Sequence, residues 1–306
     1  MRLALIIGFI AQYALLQAST LINGLYYDLD MSTRTATVTY EKDGTDNYAS
    51  LPANVKIPES VEYNGVTYSV TKVANRAFAN CKSLESISIP STIVQIGISS
   101  TNPSNLPFYN CTTLKNVKFE DGAQSLFLSA SYRDSRAPSS KAKGLFEDCP
   151  LEEVYIGRNI SYIDSYVTFE ESPDLCDYSA FYKQTKLTKA LISSSVTAIP
   201  KYLFYRCSAL SDVDIQGQLV EIPMYSFEGC NISALTLPNS VKNISKFAFS
   251  DCSNLTNFDL GNSLVTIGDF AFYSSSVSSI TIPNSVTKIG KYCFANNTKL
   301  YLEPYN

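Results

Sequence analysis

Apolar residues fall in a recurring order along this chain. A Phe is followed by a short polar turn and then by a burst of apolar–polar alternation. Two clear copies are Leu203-Phe204-Tyr205-Arg206-Cys207-Ser208-Ala209-Leu210-Ser211-Asp212-Val213-Asp214-Ile215 and Ala248-Phe249-Ser250-Asp251-Cys252-Ser253-Asn254-Leu255-Thr256-Asn257-Phe258-Asp259-Leu260. Nine Phe residues hold this register: Phe78, Phe108, Phe146, Phe181, Phe204, Phe227, Phe249, Phe272 and Phe294. Their spacings are 30, 38, 35, 23, 23, 22, 23 and 22 residues. A period of this length marks a repeat array, in which one unit cannot bury its apolar side and stacked units can.

Alternation such as Leu84-Glu85-Ser86-Ile87-Ser88-Ile89 predicts a half-buried strand. Pro90, Pro238 and Pro283 close three of these strands, where a missing N–H ends the ladder. A weaker extended segment follows, as in Asn284-Ser285-Val286-Thr287-Lys288-Ile289-Gly290, and then a short stretch such as Gly268-Asp269-Phe270-Ala271-Phe272. That stretch is too short for an independent helix and is expected to form one helical turn held by its neighbours. One coil is therefore strand, extended return and helical turn. About nine strands at roughly 4.8 Å give a body about 40 Å long.

The irregular spacings place insertions near 98–107, 121–143 and 157–180. Residues 19–54 are expected to form an N-terminal β-hairpin cap, with Tyr26, Leu29, Ala36, Val38 and Tyr40 alternating around a polar turn. Asn64-Gly65 predicts a second hairpin within Val61–Tyr68, inside a degenerate first unit. Ser129 to Lys143 reads as a polar loop, and Tyr162 to Tyr178 as an acidic excursion.

The recurring pattern Leu-x-x-Ile-x-Ile-Pro-x-x-Val-x-x-Ile-Gly resembles the BspA-like leucine-rich repeat family. Val277 to Phe294 follows it almost position for position, and the likeness runs from about Val55 to the C-terminus. The resemblance implies a leucine-rich repeat solenoid, a β-rich right-handed coil, found in secreted or cell-surface proteins linked to adhesion. It supplies no catalytic residues. Gln184 and Ser275 depart from it where Cys is expected.

Residues 1–18 read as a signal peptide, with Arg2 before an apolar run from Leu3 to Leu16 and Ala18 before the cut. Left uncleaved, the segment would be a membrane anchor, and this is the single route to a membrane. The expected localisation is secreted or cell surface. Net charge is −4, so no basic footprint for nucleic acid is present. Of 8 Cys, six (Cys81, Cys111, Cys149, Cys207, Cys230 and Cys252) stand three residues after a register Phe. One Cys per coil fits a buried small apolar position better than a disulfide framework. Cys176 and Cys293 are off register, and Cys176 is the better candidate for a reactive thiol. Sequons at Asn110, Asn159, Asn231, Asn243, Asn254 and Asn296 are a by-product of Asn-rich turns.

The absence of His removes His-based acid–base chemistry and His metal ligands. No phosphate loop or zinc spacing appears, so no cofactor is expected. Asp164, Glu170 and Glu171 could pair for glycoside hydrolysis, although a solvated acidic loop is the stronger explanation of them. The strand pattern points two rows of side chains away from the core. One reads Ser88, Lys118, Tyr155, Leu191, Asp214, Thr236, Asp259, Thr281; the other Ser86, Asn116, Glu153, Lys189, Asp212, Ala234, Asn257, Ser279. Candidate partner-binding residues are Glu153, Tyr155, Lys189, Leu191, Asp212, Asp214, Asn257 and Asp259. An aromatic and apolar spot beside carboxylates suits a partner site. The expected function is non-catalytic binding of a protein or glycan on a host or neighbouring cell, by a monomer. The alternatives are a structural spacer in an envelope assembly and a carboxylate-dependent glycosidase.

Overall fold

The computed structural model describes residues 19–40, 48, 51–98, 100, 102–130, 143–162 and 179–300. Its strands are β1 (Thr20–Ile22), β2 (Leu25–Asp30), β3 (Thr35–Thr39), β4 (Asn54–Lys56), β5 (Ser60–Tyr63), β6 (Val66–Val73), β7 (Ser86–Ile89), β8 (Gln95–Ile96), β9 (Asn116–Phe119) and β10 (Leu126–Leu128). They continue with β11 (Glu153–Ile156), β12 (Ile160–Tyr162), β13 (Lys189–Ile192), β14 (Asp212–Ile215), β15 (Glu221–Ile222), β16 (Ala234–Thr236), β17 (Asn243–Ile244), β18 (Asn257–Asp259), β19 (Thr266–Ile267) and β20 (Lys288–Ile289).

Most coils contribute one alternating strand and one short return strand, and each set pairs in parallel with neighbouring coils, with a break after β14 in the first set and after β12 in the second. The alternating strands build a six-stranded sheet in the order β14-β13-β11-β9-β7-β4 and, further on, a two-stranded sheet of β16 and β18. The return strands β6, β8, β10 and β12 lie in an eight-stranded sheet, and β15, β17, β19 and β20 form a four-stranded one. The hairpin β1–β3 is antiparallel within itself and joins the eight-stranded sheet through the parallel pair β3–β6. β1 is an addition to the expected hairpin; Asn23 and Gly24, at φ 49° and 86°, turn it into β2. Asn64 and Gly65 turn β5 into β6 with φ 51° and 74°, as their sequence predicts.

The register Phe residues form one stacked column. Consecutive rings from Phe78 to Phe294 lie 5.0–5.5 Å apart between centroids, and Tyr48 extends the column at 5.6 Å. The rings from Phe78 to Phe272 are fully buried, which makes each worth roughly 1.5–3 kcal/mol of apolar transfer. Leu84, Leu114, Leu151, Leu187, Leu210, Ile232 and Leu255 line the same core.

The expected helical turns are replaced by a different device. At Phe78 and from Phe204 to Phe294 the residues two before and two after the Phe adopt left-handed φ, as in Tyr202 (61°) and Arg206 (56°), or Phe270 (56°) and Ser274 (55°). A left-handed residue at such intervals breaks an α-helix. The N–H groups instead alternate. Tyr205 and Cys207 donate back three residues within the coil, whereas Tyr202, Phe204 and Arg206 donate to Met224, Ser226 and Glu228 of the next coil. The turn side is thus a third inter-coil ladder. Among the described residues the single helical element is a 3-10 turn at Pro103–Asn105.

The Cys three residues after each Phe is a donor as well as a filler. Cys111, Cys149, Cys207, Cys230 and Cys252 donate S–H to the carbonyls of Phe78, Phe108, Phe181, Phe204 and Phe227 at 2.9–3.5 Å. Gln184 takes over toward Phe146 at 2.7 Å, and Asn297 toward Phe272 at 2.6 Å. Ser275 is fully buried and its shorter arm leaves Oγ without a partner. The seven described Cys are all free and buried, including Cys293.

The insertions enter at one structural point, after the return strand and before the Phe turn. The stretch assigned to an insertion at 121–143 contains β10, and that at 157–180 begins with β12. What remains of both, with residues 1–18, read as a signal peptide, and Cys176, lies largely or wholly outside the described residues.

Candidate functional site

The outward rows read from sequence are real ladders. β4 through β14 pair residue for residue, giving one row Lys56–Ser88–Lys118–Tyr155–Leu191–Asp214 and a second Asn54–Ser86–Asn116–Glu153–Lys189–Asp212. The inward partners Val55, Ile87, Val117, Val154 and Ala190 are buried, which fixes the face the others present. Six of the candidate residues, Glu153, Tyr155, Lys189, Leu191, Asp212 and Asp214, therefore stand together on three adjacent strands. Asn257 and Asp259 lie on β18, beyond the end of this sheet.

The separation has a local cause. At the position after the strand, Glu120, Gly157, Ser193 and Gln216 each donate N–H to the preceding coil at 2.9 Å. The next residue in that series is Pro238, which has no N–H to donate to Ile215; Pro90 fills the same place after β7, which still pairs with β4, so the proline acts together with the turn before β16. β16 packs beside β14 without pairing to it. Pro283 occupies the same place one coil after β18, where a single bridge, Asn257 to Ser279, survives.

A shallow groove of about 550 Å³ runs across β4, β7, β9, β11 and β13. Its floor includes Lys56, Ser88, Lys118, Glu153, Tyr155 and Leu191. A second, of about 350 Å³, lies on β16 and β18 over Thr236, Asn257 and Asp259. The groove extends further toward the N-terminus than the candidate set, to Asn54 and Lys56. Their coil is the degenerate first unit, so the period does not reach them.

Tyr155 is the best-anchored side chain on the face. Its hydroxyl donates to Asp121 at 2.8 Å, and the Lys118 ammonium sits 5.1 Å from its ring centre. Asp121 also accepts from Ser193 at 2.5 Å and Ser195 at 3.1 Å. These bonds, that from Ser193 foremost, hold its carboxyl below the usual range, whereas burial pushes the Tyr155 phenol up. Close packing at the strand end requires Gly157, where a Cβ would meet Phe119 O at 2.4 Å. Asp121 was missed because its counterparts Arg158, Ser194, Gly217 and Asn239 share no residue type with it and its partners come from later coils. Lys189 and Asp212 pair at 3.8 Å with both side chains exposed, a contact worth little to stability.

Other chemistry finds no support on this face. Cys293 is buried and its thiol is pushed up to about 12 by burial, as are Cys207 and Cys252, which makes them inert packing groups. Asp164, Glu170 and Glu171 lie outside the described residues. Among the described residues no group of His, Cys, Asp and Glu could hold a metal ion, and no helix is long and apolar enough to cross a membrane.

Parallel strands stacked coil on coil over an aligned Phe and Leu core define a leucine-rich repeat protein. The chain belongs to the BspA type leucine-rich repeat family, whose six-copy pattern matches residues 53–176 and 175–301. No curated protein matches it. A leucine-rich repeat protein from Bacteroides ovatus shares its fold with a TM-score of 0.59 at 23% identity, covering 94% of this chain. This chain spans 65% of the length of that one. A T. pallidum leucine-rich repeat protein aligns at 20% identity and a TM-score of 0.40, covering 84% of this chain and 88% of its own. A leucine-rich cell surface protein from Faecalibacterium prausnitzii aligns at 18% identity and 0.32, covering 93% of each.

Proposed function

We propose that the chain is a secreted or cell-surface protein that binds a protein or glycan partner through its sheet face, without catalysis. The observation that carries this reading is the face itself. Six paired strands present an open face on which a groove runs from Asn54 to Leu191, with Tyr155 and Leu191 at its C-terminal end and Lys and carboxylate side chains in register around them. An open, ordered surface of mixed chemistry suits recognition of an extended partner, and a repeat array supplies it without a deep pocket. Family membership and the apolar leader at 1–18 support an exported protein. In this reading the array is a right-handed solenoid and the β1–β3 hairpin covers its first coil.

The test replaces Tyr155, Asp212, Asp214 and Asp259 together by Ala and measures binding to host matrix, glycans and partner cells. Loss of binding with an unchanged fold is expected. Unchanged binding would remove the sheet face as the site.

A further inference from the structure

The outward rows carry sorted charge. In the row Lys56–Ser88–Lys118–Tyr155–Leu191–Asp214, both cations lie on one side of the Tyr155–Leu191 pair and the anion on the other. The order continues past the break with Thr236 and Asp259. Read outward from the Tyr155–Leu191 pair, this row matches itself as far as Lys56 and Asp259, with Thr281 lying beyond the match. Lys56 is the counterpart of Asp259, Ser88 of Thr236, Lys118 of Asp214, and Tyr155 of Leu191. In the second row Glu153 is the counterpart of Lys189, whereas Asp212 falls opposite the neutral Asn116.

We infer that the partner of this face is a second copy of the same chain, docked face to face about a two-fold axis parallel to the strands between β11 and β13. Such an axis keeps each row opposite itself and reverses the order of the coils. Lys118 of one copy then meets Asp214 of the other, Glu153 meets Lys189, and Tyr155 meets Leu191. Every contact occurs twice, as an isologous interface requires. A head-to-tail superposition of the same faces would set Lys on Lys and Asp on Asp. Lys56, Lys118, Lys189, Glu153, Asp214 and Asp259 are exposed, and Tyr155 and Leu191 are half-buried, so these groups are open to a partner. The inference rests on the sheet face being the binding surface.

Size sets the strength. Eight strands at about 4.8 Å, each roughly four residues wide, cover about 500 Å² per copy. The total of about 1,000 Å² sits at the lower bound for a specific interface. Single contacts are weak, and chains displayed in numbers on two cells would bind by avidity.

The experiment is sedimentation of the full chain over a concentration series, with K118D, D214K, their 1:1 mixture and the K118D/D214K double variant. The wild type self-associates, more weakly as salt rises. Each single variant sets like charges opposite and associates at least about tenfold more weakly. The mixture and the double variant recover, because both pair Asp with Lys again. A wild type that stays monomeric to about 1 mM, or a mixture no stronger than its components, overturns the inference. Both positions are exposed, and circular dichroism of each variant checks the fold. If the four-Ala variant loses binding to cells or glycans while the mixture stays monomeric, the face is a site for another partner. If the four-Ala variant binds as before, the reading of the face fails with it.

Discussion

From Asn54 to Ile215 the outward strands form one continuous sheet of six, yet the Phe spacings there run from 23 to 38 residues. From Leu219 onward the spacing is 22 or 23, and the same strands shrink to a pair and a bridge. The more regular sequence has the more broken sheet. Both halves share the Phe column, so periodicity records the core and says little about backbone pairing. Pairing depends on details the period ignores. One is the N–H at the position that Pro238 and Pro283 fill. Another is the turn at Cys230-Asn231-Ile232, one residue shorter than Cys207-Ser208-Ala209-Leu210; the equally short Cys149-Pro150-Leu151 precedes the fully paired β11, and the broken coils combine the short turn with the proline. The regular half has its own compensation in a second aromatic stack, Tyr202–Tyr225–Phe247–Phe270–Tyr292, with rings 4.8–5.1 Å apart on the turn side. These rings sit on left-handed residues, and stacking offsets the cost of that backbone.

The largest effect is expected from the column. Replacing Phe108 or Phe249 by Ala should each cost about 3–5 kcal/mol in denaturant unfolding, one in each half. The half-buried Phe294 at the end should cost less. A cost at Phe249 far below that at Phe108 would show that the regular half depends on its outer stack instead.

Next comes Glu228, a buried carboxyl of the regular half. Burial pushes it up to about 7, opposed by Arg206 and reinforced by Asp251. Its Oε2 has no partner, and Arg206 is 4.0 Å from Oε1. Since the folded value lies above the ordinary 4.5, the unfolded chain releases this proton first. The contribution to stability is then intact below pH 4.5 and lost as pH rises toward 7. Glu228→Gln should stabilise the protein by about 2 kcal/mol at pH 8 and leave it unchanged at pH 4, read from melts at both values. Equal effects at the two pH values would contradict this.

A smaller gain is expected from Ser275→Cys. The longer S–H arm should reach the Phe249 carbonyl as Cys252 reaches that of Phe227, and stabilise by about 1 kcal/mol. No gain would mean that the ladder of thiols is packing alone. The smallest effect belongs to Pro238→Ala, which restores an N–H opposite Ile215. Stabilisation should be below about 1 kcal/mol, with slow exchange of the new amide. Fast exchange would assign the break to the short turn.

The array, its strands and its outward rows were legible because a strand's period of two and the recurrence of Phe expose them directly. Tyr155 and Leu191 were placed on the outward face for that reason. The turn geometry was hidden. Tyr202 or Phe270 in a left-handed conformation contradicts its own propensity and is imposed by the neighbouring coils. Asp121 was hidden because its partners, Tyr155 and Ser193, come from later coils. The thiols were read as packing, and their donor role appears only when Gln184 and Asn297 are seen aiming at the same carbonyls.

The central claim is that one column unites two sheets of different quality. Native-state hydrogen exchange tests it most directly. The turn amides Phe204, Phe227, Phe249 and Phe272 donate across coils at 2.8–3.0 Å and should open with one common free energy through both halves. Strand amides from Ala234 to Thr236 should exchange well before those from Ala190 to Ser193. Separate opening energies for Phe204 and Phe249, or equal protection of the two strand sets, would contradict the account.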